Sequence, residues 1–322
     1  MIPDSPAPPP AVAWAADTSS MTNGEFVWRE VATGSVTRRY RLYIPRGYDK
    51  KRALPLVVVL HGCTQGADNI ARGTRFNAAA DVKKIIVAYP EQPASANALR
   101  CWNWFEPAHQ QRDKGEPASI AAITRQILHD MRIDPARVYI AGVSAGAAMA
   151  LNVMYTYPEL YAALGAHSGI AYGHASSISE GVKAMSTGAG NSQLLGEAAV
   201  RAMGDRARPV AAIVFHGRAD PVVKVVNGAQ VVSQIVAANS ITGTRKKGAA
   251  TAVTPVSHGE TSTGYHYDRV VHGKGKSTVE HWTVDELAHA WSGGSPDGTY
   301  TDARGPDATA EMIRFFLDHP RR

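Results

Sequence analysis

A serine that could act as a nucleophile lies inside the pentapeptide Gly142-Val143-Ser144-Ala145-Gly146. The apolar run 137–141 precedes this pentapeptide and an alanine-rich run, 147–151, follows it, which predicts a strand, a sharp turn and a helix. The flanking glycines permit such a turn, and the turn would expose the serine hydroxyl at the end of a sheet. The pattern therefore indicates nucleophilic acyl transfer, with Ser144 as the attacking group.

A serine hydroxyl is a weak nucleophile at neutral pH, so Ser144 needs a base, and the base needs a carboxylate to orient it. The chain order serine, acid, histidine favours Asp220 as the acid, because it closely follows the buried run 209–215. The competing carboxylates are Asp205, which precedes that run, and Asp285, which follows a later strand.

His289 is the predicted base, since it lies late in the chain and follows the last predicted strand, 281–284. His281 lies within that strand, which favours a structural role. His167 and His216 end apolar runs and could line the site, but both come too early in the chain order. Polar surroundings predict exposure of His258, His266 and His272.

Acyl transfer also needs hydrogen-bond donors aimed at the oxyanion that develops on the substrate. The backbone N–H of Ala145 is one candidate, because it directly follows the nucleophile. The backbone N–H of Cys63 is the other, in the turn after the apolar run 54–60, where Gly62 lets the loop approach closely. His61, at the end of the same run, is a candidate substrate contact.

Cys63 and Cys101 are the two cysteines of the chain, which allows one disulfide or two buried free thiols. A disulfide would stiffen the loop around Cys63 and would favour an oxidising compartment. It would also carry Trp102 and Trp104 to the site, where they and Trp291 could bind an acyl group or an aromatic ring. Core packing is the alternative role for each of the three tryptophans.

The elements that would position these residues alternate along the chain. Predicted strands are 25–28, 39–44, 54–60, 84–90, 137–141, 162–166, 209–215 and 281–284. Helical patterns occupy 120–131, the segment after Ser144, 225–238 and the segment from about Asp307. This alternation predicts an α/β fold with a mostly parallel central sheet and helices on both faces. The segment 173–203, rich in Ser, Gly and Ala, is either an excursion over the site or a long connection.

The composition indicates a globular protein and gives no sign of nucleic-acid binding. The chain has 322 residues, 44% hydrophobic and 19% charged, as expected for one globular domain, 25–322, after a proline-rich, disordered tail, 1–24. That tail lacks the basic start and apolar core of a secretory signal. The net charge is +6, but the basic clusters 50–52 and 245–247 are typical of solvated loops, so no nucleic-acid partner is predicted.

Other chemistries find no support in the sequence. No apolar stretch approaches the length needed to cross a membrane. The chain also lacks the sequence motifs of zinc sites, phosphate-binding loops and dinucleotide-binding folds, so no cofactor is predicted. The sequence does not indicate the oligomeric state.

The candidate residues lie in segments that resemble the polyhydroxybutyrate depolymerase family of α/β-hydrolases, which also contains feruloyl and acetylxylan-type esterases. The matching segments are 60–65, 101–105, 142–149, 216–220, 289–291, 293–294 and 305–308. The resemblance implies Ser144, Asp220 and His289 as a catalytic triad, in agreement with the prediction from the residues. It further implies a secreted or periplasmic esterase that acts on short-chain polyhydroxyalkanoates. One departure is Gly146-Ala147, where the family usually has two glycines.

The sequence therefore predicts a serine carboxylesterase whose substrate is a 3-hydroxybutyrate polyester or its oligomers. Feruloyl, other aromatic or acetylated carbohydrate esters are the alternative substrates. Peptidases and acyltransferases share the same machinery, and spacing alone does not separate them. A non-catalytic binding module is the remote alternative, because it would require a broken triad.

Overall fold

The computed structural model describes residues 23–33, 36–188, 190–243 and 253–321. The predicted tail, except residues 23 and 24, and the basic cluster 245–247 therefore lie outside the described part. The strands are β1 Glu25–Thr33, β2 Val36–Ile44, β3 Leu54–Leu60, β4 Ile86–Pro90, β5 Ile133–Val143, β6 Ala163–His167, β7 Ala211–Gly217, β8 Ser257–Glu260, β9 His266–His272, β10 Val279–Val284, β11 Trp291–Ser292 and β12 Thr301–Asp302. The helices are α1 Ala67–Thr74, α2 Phe76–Lys83, α3 Gly115–Asp130, α4 Ala145–Thr156, α5 Ile178–Thr187, α6 Ser192–Met203, α7 Val226–Gly243 and α8 Ala308–Asp318.

Ten of these strands form one sheet in the order β1-β2-β4-β3-β5-β6-β7-β10-β9-β8. The six strands from β4 to β10 in that order run parallel, and antiparallel strands extend the sheet at both edges. All seven residues of β3 are buried, because helices cover both faces of the parallel part. The predicted α/β class with a mostly parallel sheet is confirmed.

Side chains alternate between the two faces of the sheet and enter two separate cores. Leu56, Val58 and Leu60 pack in the core that α3, α4, α6 and α7 cover. Val57 and Val59 pack in the core that α1, α2 and α8 cover. The sheet thus lies between two helical layers, and the carboxyl ends of its parallel strands meet along one edge.

Several elements of the structure were not predicted from the sequence, among them α1, α2, β11 and β12. The segment 173–203 contains α5 and α6, and the polar segment after α7 forms the hairpin of β8 and β9. Both strands of this hairpin are largely exposed or half-buried at the edge of the sheet. Because neither strand is buried, neither contains the continuous apolar run by which the buried strands were predicted.

A buried carboxylate links the antiparallel edge of the sheet to α8. Glu280, on β10, is 3% exposed and accepts hydrogen bonds from Arg269 and Arg314. Burial alone would raise the pKa of Glu280, but the two guanidinium groups hold this pKa below its ordinary value. A carboxyl group whose pKa is lowered on folding stabilises the fold above its unfolded pKa, near 4.5. That stability is lost as the pH falls through the folded value.

We expect Glu280→Gln to lower the free energy of unfolding at pH 7 by about 3 kcal/mol, because it leaves the half-buried Arg269 without its charge partner and removes one of the charge partners of the half-buried Arg314. Urea unfolding at pH 7 and at pH 4 measures this, and the deficit should shrink at the lower pH. The control is Glu30→Gln, which breaks an exposed pair with Arg39 and should cost less than about 1 kcal/mol. Equal losses in both variants would contradict the prediction.

Candidate active site

Ser144 lies at a strained turn between β5 and α4. Its backbone has φ 56° and ψ −123°, a conformation that residues with a side chain rarely adopt. Such strain persists only where the surrounding structure enforces it, and it is concentrated at functional sites. The N–H of Ser144 donates to the carbonyl of His167 at 2.9 Å, which ties the turn to the end of β6.

Gly142 and Gly146 permit this turn because no side chain would fit at either position. A Cβ atom on Gly142 would lie 2.3 Å from the carbonyl oxygen of Gly146. A Cβ atom on Gly146 would lie 2.3 Å from the carbonyl oxygen of Leu60. The start of α4 therefore packs directly on the end of β3, which brings the loop after β3 to Ser144.

The three residues predicted as a triad come from distant segments and form one hydrogen-bonded chain. His289 Nε2 lies 3.0 Å from Ser144 Oγ, and His289 Nδ1 lies 2.7 Å from Asp220 Oδ2. Because a carboxylate only accepts hydrogen bonds, Nδ1 carries the imidazole proton. Nε2 is then free to accept the proton of the Ser144 hydroxyl, as a general base requires.

Asp220 is held as a carboxylate by the turn that follows β7. Its side chain is completely buried, and Oδ1 accepts the N–H groups of Val222 and Val223, each at 2.9 Å. Burial alone would raise the pKa of Asp220, but the hydrogen bond and charge of His289 and the two amides hold it below its ordinary value. Asp220 is therefore ionised at neutral pH and can orient His289.

The loops that carry Asp220 and His289 are packed against each other. Gly217 ends β7, and a Cβ atom there would lie 2.0 Å from the carbonyl oxygen of Leu287. The N–H of Arg218 donates to the carbonyl of Val284 at 2.8 Å. A glycine is thus required where the two loops cross, so that His289 comes within reach of Asp220.

The competing candidates lie elsewhere. Asp205 is exposed, and Asp285 pairs with Arg218 at 2.6 Å. His167 and His216 are completely buried and do not line the cavity at Ser144. His281 lies in β10, as predicted, and His258 and His266 are exposed, whereas His272 is half-buried, contrary to the prediction.

The two predicted oxyanion donors lie beside Ser144. Ala145 is the first residue of α4, so its N–H has no acceptor within the helix. Within the described ranges, no acceptor occupies the N–H of Cys63. A Cβ atom on Gly62 would lie 3.5 Å from Cβ of Ser144, so the loop carrying Cys63 passes directly against the nucleophile. Their joint action on an oxyanion stays a prediction.

Cys63 and Cys101 form a disulfide, so the alternative of two free thiols is wrong. The disulfide joins the loop after β3 to the segment that contains Trp104. Glu116, on α3, holds the same segment from the other side, because its carboxylate accepts the N–H and the side-chain amide of Asn103, each at 2.8 Å. Burial raises the pKa of Glu116 above its ordinary value.

Of the four predicted substrate contacts, Trp104 alone borders the cavity at Ser144 in the described part of the chain. Trp102 is 3% exposed, and its indole N–H donates to the carbonyl of His61 at 3.1 Å. His61 is itself completely buried. Trp291 is 1% exposed and packs on Phe76 in the core beneath α1, α2 and α8. The predicted substrate contacts of Trp102, Trp291 and His61 are therefore corrected to core packing.

The cavity at Ser144 has a volume of about 490 Å³ and is walled mainly by apolar side chains. Sequence reasoning missed most of them: Leu99, Phe105, Ile178, Val182, Met185, Val222 and Tyr300. Three of these residues lie on α5, in the segment that interrupts the alternation of strands and helices. The segment 173–203 was expected to be either an excursion over the site or a long connection. Its helix α5 is an excursion over the site.

Neither a metal site nor a membrane span is found in the described ranges. No three His, Cys, Asp or Glu side chains cluster there so as to hold a metal ion. None of the helices described above combines the length and apolar character that a bilayer crossing requires.

Two curated relatives each match about two fifths of the chain. Poly(3-hydroxyalkanoate) depolymerase C of Paucimonas lemoignei is 39% identical over 134 residues, which is 42% of this chain and 32% of the relative. Feruloyl esterase B of Neurospora crassa is 34% identical over 136 residues, which is 42% of this chain and 44% of the relative. The matches thus span less than half the length of either relative.

An acetyl xylan esterase from Aspergillus awamori has a similar structure, with a TM-score of 0.69. The match covers 91% of this chain and 99% of that protein at 18% identity, and it supports the predicted α/β-hydrolase fold. The sequence profile of the family described as "Esterase PHB depolymerase" matches residues 38–255, about two thirds of the chain. By that match, the chain belongs to the PHB depolymerase esterase family.

Proposed function

We propose that this protein is a serine carboxylesterase that cleaves short-chain polyesters of 3-hydroxybutyrate, or their oligomers, through an acyl-enzyme. The observation that carries the proposal is the hydrogen-bonded chain from Asp220 through His289 to Ser144, at the wall of an apolar cavity. Membership of an esterase family supports the same reaction class.

In the first half of the proposed reaction, Ser144 Oγ attacks the ester carbonyl while His289 Nε2 takes its proton. Asp220 stays ionised and stabilises the imidazolium that forms. The N–H groups of Ala145 and Cys63 donate to the oxyanion of the tetrahedral intermediate. His289 then gives the proton to the leaving alcohol, which departs and leaves the acyl group on Ser144.

In the second half, a water molecule takes the place of the alcohol. His289 removes a proton from this water, which attacks the acyl-enzyme, and the same two amides again hold the oxyanion. The acid departs when Ser144 recovers its proton from His289. The two proton transfers between Ser144 and His289 use an oxygen and a nitrogen that already lie at hydrogen-bond distance.

The cavity wall supports an aliphatic ester over a carbohydrate ester. The lining contains no Asp, Glu, Lys or Arg among the described residues. Gln65 and Asn97 also line it, but their polar atoms are used inside the protein, by the N–H of Gly62 and by Leu99 and Asn103. Few side chains therefore remain to bind the hydroxyl groups of a sugar.

An aromatic ester is the second candidate, and one observation favours it. Trp104, Phe105 and Tyr300 all border the cavity, and aromatic side chains pack well on a planar ring. The similarity to a feruloyl esterase agrees with this candidate.

We also propose that residues 25–322 form one catalytic domain in a secreted or periplasmic protein. One continuous sheet from β1 to β8 supports the single domain. The disulfide between Cys63 and Cys101 supports an oxidising compartment, because such bonds are rare in reducing ones.

Hydrolysis rates on three substrates test the proposal: polyhydroxybutyrate film, soluble hydroxybutyrate oligomers and methyl ferulate. We expect kcat/KM for the oligomers to exceed that for methyl ferulate by about 10- to 100-fold, the discrimination that an apolar pocket achieves. Ser144→Ala protein serves as the control for background hydrolysis. A preference for methyl ferulate would favour the second candidate, and native rates no higher than the control would overturn the esterase.

A further inference from the structure

His216 lies directly behind the candidate triad without touching the cavity. It is the penultimate residue of β7, and its side chain is completely buried. His216 Nε2 lies 2.8 Å from the carbonyl oxygen of Val223. Because a carbonyl oxygen only accepts, Nε2 carries the imidazole proton and donates it to this contact.

The residue that accepts this hydrogen bond also holds Asp220. The N–H of Val223 donates to Asp220 Oδ1 at 2.9 Å, while its carbonyl accepts from His216. His216 Nε2 further lies 3.6 Å from Asp220 Oδ2, the oxygen that accepts His289 Nδ1. His216 thus contacts both the turn that orients the carboxylate and the side of the carboxylate that faces His289.

Packing alone does not explain a histidine at this position. Nδ1 of His216 is buried without a hydrogen-bond partner among the described residues, which costs free energy. A Cβ atom on Gly228 would lie 2.7 Å from the same nitrogen, so α7 needs a glycine at this position to accommodate the ring. A phenylalanine ring at this position would avoid the unsatisfied nitrogen, but it could not donate the hydrogen bond that Nε2 of His216 makes to Val223.

We propose that His216 is a positioning residue for the triad, which holds the turn 220–223 closed so that Asp220 keeps its orientation toward His289. The inference rests on the proposed esterase function. Without the Nε2 donor, the carbonyl of Val223 loses its anchor and the turn is free to rotate Asp220 away from His289. His289 would then be less well held, and small displacements of catalytic groups cost up to about 10²-fold in rate.

Three substitutions of His216 separate this role from simple packing. His216→Phe keeps a ring but removes the hydrogen-bond donor. His216→Asn keeps an amide donor, but its side chain is too short for that donor to reach the carbonyl of Val223. His216→Gln places an amide N–H where Nε2 lies. We expect kcat for a soluble hydroxybutyrate oligomer to fall by about 10- to 100-fold in the Phe and Asn variants. KM should stay within about twofold, because His216 does not border the cavity, and Gln should restore most of kcat.

The matched control is His281→Phe, which replaces a half-buried histidine on the neighbouring strand β10, and its kcat should equal that of the native protein. Near-ultraviolet circular dichroism and thermal unfolding establish that each variant is folded. The inference is overturned if folded His216→Phe or His216→Asn keeps native kcat, or if folded His216→Gln is as slow as they are. If His216→Phe does not fold, the comparison of Asn with Gln decides. A native protein without any ester hydrolysis would overturn the proposed function and the inference together.

Discussion

Ser144→Ala should lower kcat for ester hydrolysis by on the order of 10⁶-fold, because among the described residues only the Ser144 hydroxyl forms a hydrogen bond with His289 Nε2. The substitution removes one oxygen and keeps the Cβ atom, so the strained turn at φ 56° is unchanged. Stability should therefore stay close to native. Stopped assays at high protein concentration measure the residual rate, and thermal unfolding measures stability.

Ser168→Ala is a matched control for that variant. Ser168 also follows a parallel strand, β6, and also has a positive φ of 52°, but its hydroxyl contacts His167 and not His289. Its kcat should stay within a few-fold of native. If Ser144→Ala kept more than about one hundredth of the native rate, a different group would be the nucleophile.

Asp220→Asn should lower kcat by about 10⁴-fold with little change in fold, because it reverses the hydrogen bonding of His289. The amide oxygen of Asn would stay with the N–H groups of Val222 and Val223, which need an acceptor. Its NH₂ group would then face His289 Nδ1 and force the proton onto Nε2. With that tautomer His289 cannot accept the proton of Ser144.

Asp285→Asn is the matched control, since Asp285 lies on the loop that leads to His289 and its partner is Arg218 instead of His289. We expect native kcat within about twofold, as is usual for an exposed ion pair. Steady-state kinetics on a soluble oligomer measure both variants. Equal losses in the two would mean that the effect is general charge removal and that Asp220 has no special role.

The candidate triad could be predicted because it depends on a short local motif and on the order of residues along the chain. Gly142 and Gly146 are required by contacts within the turn itself and with the adjacent strand, so the pentapeptide encodes its own geometry. Asp220 and His289 follow from chain order, because successive parallel strands present their carboxyl ends on one edge of the sheet. No comparable signal marked Gly217, although it is needed where the two loops cross.

The tryptophans could not be assigned from their positions in the sequence. Trp102 and Trp104 are two residues apart, yet one lies in the core against His61 and the other borders the cavity. Their segment is irregular, and its course is set by the disulfide and by Glu116 on α3. Trp291 is two residues from His289 but faces the opposite helical layer.

The α/β fold, the sharp turn at Ser144 and the order in which acid and base follow it could all be predicted from the amino-acid sequence. These depend on apolar periodicity, on steric limits at glycine and on strand order, which are written along the chain. Which side chains line the cavity, the position of α5 beside it and the contact between His216 and Asp220 became known only from the folded structure. Those contacts join residues far apart in the chain, and local propensity carries no information about which of several apolar or buried polar side chains will meet.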